Sequence, residues 1–272
     1  LLKLGVRRGD RIALIASNCP EWNMIDFAVQ QIGAICVPIY PTISQSDYEY
    51  IFRHSETKIA FIYNKLIFNK IKEISGDISF VESIFSIRPT EGVKPLSELI
   101  ELGRANQDRA ALEAIENEIN TDDIATIIYT SGTLGLPKGV MLTHDNILSM
   151  VRNLCPVYTV DETHDSISYL PLSHIYERAI IYCHVYLGTA TYYVENIGTI
   201  LNDIQDIKPK SFSSVPRLIE RIFSNIMRNG RKLKGPQKRL FDWAMLLAER
   251  YDETGKDNGY FYKKELKIAD RL

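Results

Sequence analysis

Short apolar runs alternate with stretches of helical periodicity along most of the chain, and this alternation constrains the fold more than any other feature. Residues 11–16 and 124–129 are each typical of a buried strand. Pro20 suits the first position of a helix that ends near Gly33. Strands separated by helices of about 10–15 residues form βαβ units, whose parallel sheets are covered by helices. We therefore predict an α/β fold with two βαβ subdomains, each a parallel sheet flanked by helices.

Two capping patterns mark helix starts further along the chain. Ser44 is followed three residues later by Asp47, which is typical of a capping box. Thr143 is a suitable N-cap for a helix that follows it. We also predict a loop with one polar helix over residues 95–120, and a strand over residues 211–215.

The length bounds the number of domains. At about 150 residues per domain, 272 residues correspond to two domains, or to one large α/β domain. We place a boundary in the polar stretch near Asn120. Residues 1–120 are then expected to form the first α/β subdomain. Residues 121–272 are expected to form the second, incomplete at its C-terminal side.

The charge balance argues against a nucleic-acid partner. The chain has 32 Lys and Arg against 34 Asp and Glu, a formal net charge of −2. A dedicated nucleic-acid-binding domain has a basic excess instead. The sequence also has no run of about 18 apolar residues, so we expect no transmembrane helix.

Cysteine usage indicates the redox environment. Cys19, Cys36, Cys155 and Cys183 form no CxxC pair, and each lies in an apolar stretch. This pattern predicts buried free thiols and a reducing compartment, most simply the cytoplasm. The sequence has no HExxH motif either, and we predict no metal site held by the protein.

The segment at 129–139 is the strongest candidate for chemistry. It reads Tyr-Thr-Ser-Gly-Thr-Leu-Gly-Leu-Pro-Lys-Gly and directly follows an apolar strand. Glycines let the backbone approach a ligand closely, and successive N–H groups in such a turn form an anion-binding concavity. The hydroxyl side chains add donors, and Lys138 adds a point charge suited to phosphate. The residues therefore predict a polyphosphate-binding loop.

Two other interpretations of this segment are open. The spacing from Gly132 to Lys138 matches a Walker P-loop, but Pro137 and Gly139 occupy positions where that motif has Gly and Ser or Thr. The chain after Lys138 also looks extended, with a helix starting only after Thr143. The second alternative is a solvent-exposed loop rich in turn residues.

This loop resembles the phosphate-binding loop of the adenylate-forming acyl-CoA synthetase superfamily. The stretches 140–146 (Val-Met-Leu-Thr-His-Asp-Asn) and 170–178 (Leu-Pro-Leu-Ser-His-Ile-Tyr-Glu-Arg) are also similar to that family. Three further stretches resemble its long-chain fatty-acid branch, namely residues 4–11, 18–22 and 215–221. The similarity is spread over most of the chain.

The resemblance implies a two-step reaction with ATP, Mg²⁺, a fatty acid and coenzyme A. The fatty-acid carboxylate attacks the α-phosphate of ATP to give an acyl-adenylate and pyrophosphate, and the coenzyme A thiol then displaces AMP. The loop would hold the β- and γ-phosphates by positioning and electrostatics. The residues that match this role are Thr130, Ser131, Gly132, Thr133, Gly135, Lys138 and Gly139.

His174 and Lys138 are the residues to which the resemblance implies a catalytic role. His174 matches the family position next to the acyl-adenylate, where a ring contacts the substrate carboxylate. The alternative for His174 is a core histidine at a helix start. Glu177 and Arg178, which follow in the same helix, are expected to form ion pairs.

The sequence departs from the family in two respects. Leu134 stands where the family usually has Thr or Ser, which removes one hydroxyl donor. The family's Tyr-Gly-x-Thr-Glu and Thr-Gly-Asp segments and its C-terminal catalytic Lys are not found in the sequence, and residues 251–255 match the first only superficially. Because the chain also begins at Leu1, we expect it to be an internal piece of a longer enzyme, inactive by itself.

Alternative functions remain at this point. One is an adenylating enzyme for another carboxylate, and the other is a non-catalytic acyl- or nucleotide-binding module on the same scaffold. The oligomeric state and acyl chain length are not indicated. Six basic residues and no acidic one occur over residues 228–239, which favours a solvated face, with peripheral membrane contact as the alternative.

Overall fold

A computed structural model of the chain describes residues 1–74, 81–130, 136–251 and 259–269. The strands are β1 (Arg11–Ile15), β2 (Ile35–Pro38), β3 (Thr57–Ile62), β4 (Ser83–Ser86), β5 (Lys94–Pro95), β6 (Ile124–Thr130), β7 (Lys138–Thr143), β8 (Asp165–Ser168) and β9 (Ala190–Tyr193). The helices up to β9 are α1 (Pro20–Gln31), α2 (Gln45–Ser55), α3 (Lys65–Lys72), α4 (Leu96–Ala105), α5 (Arg109–Glu118), α6 (His144–Leu154) and α7 (Ile175–Leu187). They are followed by α8 (Ile200–Ile207), α9 (Pro216–Lys232), α10 (Gly235–Glu249) and α11 (Tyr260–Ala269).

The strands form two sheets. The larger sheet has the order β5-β4-β3-β1-β2-β6-β7, and β8 pairs with β9 in a smaller parallel sheet. Within the larger sheet the neighbouring strands are parallel, except for β6 and β7, which are antiparallel. The predicted α/β fold with mainly parallel sheets flanked by helices is therefore confirmed. The antiparallel edge has a simple cause, because the seven residues between β6 and β7 are too few for a crossover helix.

The larger sheet has a hydrophobic core on each face. Ile12 and Leu14 of β1 point to the face covered by α1, whereas Ala13 and Ile15 point to the face covered by α2 and α3. This alternation follows from the two-residue period of a strand. Burial on both faces explains why the strands read as continuous apolar runs rather than alternating ones.

The predicted helix starts are confirmed. Pro20 occupies the first turn of α1. Ser44 and Asp47 form a reciprocal capping box at the start of α2, and Thr143 and Asn146 form another at the start of α6. Each box satisfies two backbone N–H groups that a helix end leaves without intrahelical partners.

Two element predictions were wrong. Residues 95–120 contain the two helices α4 and α5, because the side chain of Asp108 accepts a hydrogen bond from Ala111 N–H at 3.0 Å and begins a new helix. Residues 211–215 form no strand, since Ser211 alone makes a single bridge, to Ser166 of β8. The strand predicted over residues 78–85 begins outside the described residues, and the structure shows β4 from Ser83.

The chain divides into two compact units. The first spans Leu1–Ser213 and contains both sheets, so β6 and β7 extend the sheet formed by strands that precede Asn120. The second spans Ser214–Leu272 and contains α9, α10 and α11. Within it, the Tyr262 hydroxyl of α11 donates to the C=O of Leu247 in α10 at 3.0 Å.

Candidate functional site

A cleft of about 570 Å³ opens where β2 and β6 end. The carboxyl ends of parallel strands are where ligands bind in open α/β sheets. The start of α2, the residue before β7 and the start of α7 complete its walls. Among its lining residues are Tyr40, Asp47, Tyr129, Thr130, Pro137 and His174.

The two ends of the glycine-rich segment lie side by side. Thr130 is the last residue of β6 and Lys138 the first of β7, and they are direct partners in the antiparallel register. Both side chains are exposed, and Lys138 forms no ion pair with any residue that the structure describes. The predicted Ser131, Gly132, Thr133 and Gly135, and Leu134 with them, lie outside the described residues. The extended backbone expected after Lys138 is confirmed as β7, which supports the argument against a Walker motif.

Gly139 has a packing reason to be glycine. It pairs with Tyr129 across the hairpin. A Cβ at Gly139 would lie 2.9 Å from Ile127 Cγ2 and 3.3 Å from Tyr129 Cζ. The absent side chain therefore lets the Tyr129 ring lie over the backbone of β7, next to Thr130.

Tyr129 is also held in place by two side chains of α2, on the side of its ring away from β7. Its hydroxyl and His54 Nδ1 are hydrogen-bonded at 2.7 Å, and its ring also meets Tyr50 edge to face. Burial raises the pKa of Tyr129 to about 12. The hydroxyl thus stays protonated at neutral pH, and the ring forms a fixed wall of the cleft.

His174 is exposed at the entrance to α7 and is not a core residue. It is the N-cap of that helix, and its Nδ1 accepts a hydrogen bond from Tyr176 N–H at 3.1 Å. This contact fixes the ring and leaves Nε2 directed away from the helix backbone. His174 and Thr130 therefore reach the same cleft from different elements.

The loop before His174 is anchored by Asn18, which follows β1. Asn18 Nδ2 donates to Ser168 Oγ at 3.1 Å and to the C=O of Leu170 at 2.7 Å. Its Oδ1 accepts from Leu172 N–H at 3.2 Å. Sequence reasoning assigned Asn18 no such role, because its partners are about 150 positions away and nothing local points to them.

Arg178 forms the ion pair that was expected, with Asp26 of α1. Both side chains are about 1% exposed. Arg178 Nε donates to Asp26 Oδ2 at 3.0 Å, Nη2 donates to Oδ1, and Nη1 donates to Thr126 Oγ1 at 2.7 Å. Burial alone would lower the pKa of Arg178, but the Asp26 carboxylate beside it raises that pKa overall.

Glu177 makes no ion pair with any described residue, so the expectation for it was wrong. It is buried and hydrogen-bonded to the side chain of Ser168 and to the backbone N–H of Tyr169. Its Oε2 is buried without a hydrogen-bond partner among the described residues. Burial raises the pKa of Glu177 to about 7, although both hydrogen bonds act to lower it.

The remaining predictions concern cysteines, metals and membranes. All four cysteines are buried and free, as predicted. Within the described ranges, no group of His, Cys, Asp and Glu side chains is arranged to hold a metal ion. Among the helices of the same ranges, none combines the length and apolar character needed to cross a membrane.

The chain is similar to known proteins along nearly its whole length. A family model described as AMP-binding enzyme matches residues 1–250. The chain is 32% identical to long chain acyl-CoA synthetase 6, peroxisomal, of Arabidopsis thaliana, over 100% of this chain and 40% of that protein. It is 31% identical to the long-chain-fatty-acid–CoA ligase ACSBG2 of Homo sapiens, over 90% of this chain and 38% of that protein. The chain thus spans about two fifths of the length of these relatives.

Solved structures share the fold. A long-chain-fatty-acid–CoA ligase (FadD1) from Archaeoglobus fulgidus superposes with a TM-score of 0.71 at 24% identity, over 84% of this chain and 44% of that chain. The N-terminal domain of FACL13 from Mycobacterium tuberculosis superposes with a TM-score of 0.68 at 21% identity, over 80% of this chain and 53% of that chain. The family match and the relatives confirm the resemblance found in the glycine-rich segment. The chain belongs to the family of AMP-binding enzymes.

Proposed function

We propose that this chain is the ATP- and acyl-binding part of a long-chain fatty-acid–CoA ligase that forms AMP. The observation that carries the proposal is one cleft lined by both Thr130 and His174, with Lys138 paired to Thr130 at its edge. The relatives' names, long-chain acyl-CoA synthetase and ligase, support the same substrate class. The proposed substrates are a fatty acid, ATP and coenzyme A.

The residues of the cleft have separate tasks in this proposal. Thr130, Lys138 and the glycine-rich loop hold the β- and γ-phosphates and neutralise the charge that develops on pyrophosphate. His174 contacts the acyl carboxylate and orients it toward the α-phosphate. Mg²⁺ enters as the counter-ion of the ATP phosphates, and no described residue is assigned to it.

ATP–pyrophosphate exchange in the complete protein tests the proposal. Exchange is expected to require a long-chain acid and to fall about 10²–10³-fold in Lys138→Ala, the size of loss seen when a transition-state donor is removed. Lys264→Ala, which removes an exposed lysine of α11, is the matched control and keeps full exchange. If exchange occurs only with aryl or amino acids, the chain belongs to an adenylating enzyme for another carboxylate. If folded protein shows no exchange with any acid, the non-catalytic acyl- or nucleotide-binding module is the remaining function.

The basic residues over 228–239 are proposed to form a solvated face. Within this stretch Lys238 forms an ion pair with Asp242 and lies over the ring of Phe241, at 5.7 Å from its centroid. A solvated face needs no partner beyond such local contacts. Co-sedimentation with vesicles that rises with their phosphatidylserine content would show peripheral membrane contact instead.

A further inference from the structure

The relative position of His174 and Thr130 depends on what joins α7 to β6. The backbone N–H of Arg178, one turn into α7, donates to the C=O of His174 at 3.2 Å. Arg178 Nη1 donates to Thr126 Oγ1 at 2.7 Å, and Thr126 lies four residues before Thr130 on β6. A short hydrogen-bonded path therefore joins the backbone that carries His174 to the strand that enters the glycine-rich loop.

This path has little freedom to move. Thr126 Oγ1 donates to the C=O of Cys36 on β2 at 2.7 Å, so its single proton is already used. Asp26 holds the other two donor groups of the Arg178 guanidinium, whose Cζ lies 5.5 Å from the centre of the Trp22 ring. Thr126, Asp26 and Arg178 are all fully buried. Because water does not reach these groups, no solvent molecule can replace a lost contact.

We propose that Thr126, acting through Arg178, is a positioning residue that sets the place of His174 relative to Thr130, at the end of β6. The inference rests on the proposed function, in which His174 contacts the acyl carboxylate and the loop holds the ATP phosphates. Displacement by about 1 Å of a group that aligns two reactants lowers a rate about 10²-fold. A path that fixes this spacing therefore has a catalytic consequence although none of its atoms touches substrate.

A purely structural role is the competing explanation. Thr126 satisfies buried polar groups, and their loss lowers stability whether or not His174 moves. The two roles differ in what changes. A structural role changes the amount of folded protein, whereas a positioning role changes kcat of folded protein and acts only when the His174 ring is present.

The test uses Thr126→Val, which keeps the size and branching of the side chain but removes the hydroxyl. It leaves the ion pair between Asp26 and Arg178 in place. Thr126→Ser restores the hydroxyl and is the conservative rescue variant. Arg178→Lys is a second variant, because it keeps a positive charge beside Asp26 but loses the planar fork that reaches Thr126 as well.

Acid-dependent ATP–pyrophosphate exchange is measured in the complete protein, per mole of folded enzyme. Each variant is measured alone and in combination with His174→Ala. Thr126→Val is expected to lower kcat about tenfold with little change in KM for ATP. Thr126→Ser is expected to recover most of this loss, and Arg178→Lys to reproduce it. In the His174→Ala background, the effect of Thr126→Val is expected to shrink to less than about twofold, since coupled residues are not additive.

The outcomes separate the two proposals. If wild-type protein shows no acid-dependent exchange, the proposed function fails first. If wild type exchanges but Thr126→Val lowers kcat equally with and without His174, the positioning role is overturned while the ligase function stands. An unchanged kcat in both Thr126→Val and Arg178→Lys would likewise overturn the positioning role while the ligase function stands.

Discussion

Arg178 and Asp26 lie 152 residues apart in the sequence and form an ion pair with almost no solvent exposure. The carboxylate of Asp26 also accepts hydrogen bonds from the Tyr182 hydroxyl at 2.7 Å and from Gln30 Nε2 at 3.1 Å. Both charges are thus paired and hydrogen-bonded, which is the condition under which buried charges are tolerated. The pair joins α1, under the larger sheet, to α7, which carries His174.

Removing one partner of this pair is expected to destabilise the first unit strongly. Asp26→Asn leaves the Arg178 guanidinium without its counter-charge and is expected to cost about 3–5 kcal/mol of unfolding free energy. Replacing both residues, as Asp26→Leu with Arg178→Met, is expected to cost less than the sum of the single changes. Urea unfolding followed by circular dichroism measures each value.

A surface pair serves as the control for this prediction. Arg109 and Glu113 form an i,i+4 pair in α5 with side chains 91% and 56% exposed. Glu113→Gln is expected to change stability by less than about 0.5 kcal/mol. A loss in Asp26→Asn as small as that in Glu113→Gln would contradict the prediction.

Glu177 is expected to make stability fall as pH rises. Its pKa in the folded chain is raised to about 7, above its ordinary value of 4.5, so folding favours the protonated acid. The stabilisation is present in full below about pH 4.5 and is lost as pH rises through 7. The loss is on the order of 3 kcal/mol. Glu177→Gln, which mimics the protonated acid, is expected to raise the thermal midpoint at pH 8 and to leave it nearly unchanged at pH 5.

Glu98→Gln is the control for the pH dependence, since Glu98 is exposed in the first turn of α4. It is expected to give the same small change at both pH values. If the thermal midpoint of Glu177→Gln equals that of wild type at pH 8 as well as at pH 5, the buried carboxylate is not the source of the pH dependence.

Gly139→Ala is expected to disturb the entrance to the glycine-rich loop. The added methyl group would meet Ile127 Cγ2 at 2.9 Å, and the β-branched Ile127 has little rotamer freedom to move aside. We expect a stability loss of about 1–3 kcal/mol. Because β7 shifts with the loop end, KM for ATP in the exchange assay is expected to rise.

Val140→Ala, at the exposed neighbouring position, is the control for Gly139→Ala. It is expected to change stability and KM for ATP little. Equal effects in the two variants would refute the packing explanation.

Local signals in the sequence predicted most of the fold. Ser44 and Thr143 each begin a helix through hydrogen bonds to residues three positions away, and Pro20 suits a helix start because its ring fixes φ. The cause of each helix start therefore lies within a few residues of the sequence. Asp108 is a signal of the same kind, and it was missed although its partner Ala111 is three residues away. The strand predicted over residues 211–215 failed because a strand also needs a partner, and within this stretch Ser211 makes one isolated bridge, to Ser166.

The candidate site was predictable only in part. Thr130, Lys138 and His174 were found from short motifs, and the structure describes all three beside one cleft. The groups that hold the cleft together were not found, because Asn18, Thr126 and Asp26 act on partners 52 to 154 positions away. The ion pair expected for Glu177 did not form, because its carboxyl group is buried against Ser168 and Tyr169, and nothing local in the sequence indicates that burial.

The second unit offers a test of close helix packing that is independent of the cleft. Gly230 of α9 is buried, and a Cβ there would lie 2.1 Å from Cζ of Phe241 in α10. Gly230→Ala is therefore expected to loosen the contact between these helices by about 1–3 kcal/mol. At the middle of this range, the cost exceeds the helix-propensity gain of about 1 kcal/mol that alanine supplies. Phe241→Leu in the same chain is expected to restore part of the loss.

Gly103 of α4 provides the matched case without a neighbour. It also lies inside a helix, but a Cβ there would meet nothing within 4 Å. Gly103→Ala is therefore expected to slow amide hydrogen exchange in α4, whereas Gly230→Ala is expected to accelerate it in α9 and α10. The comparison isolates packing, since both changes add the same methyl group and the same helix propensity. Slower exchange in both variants would mean that the Phe241 ring moves aside at little cost and that the close approach to Gly230 is not required.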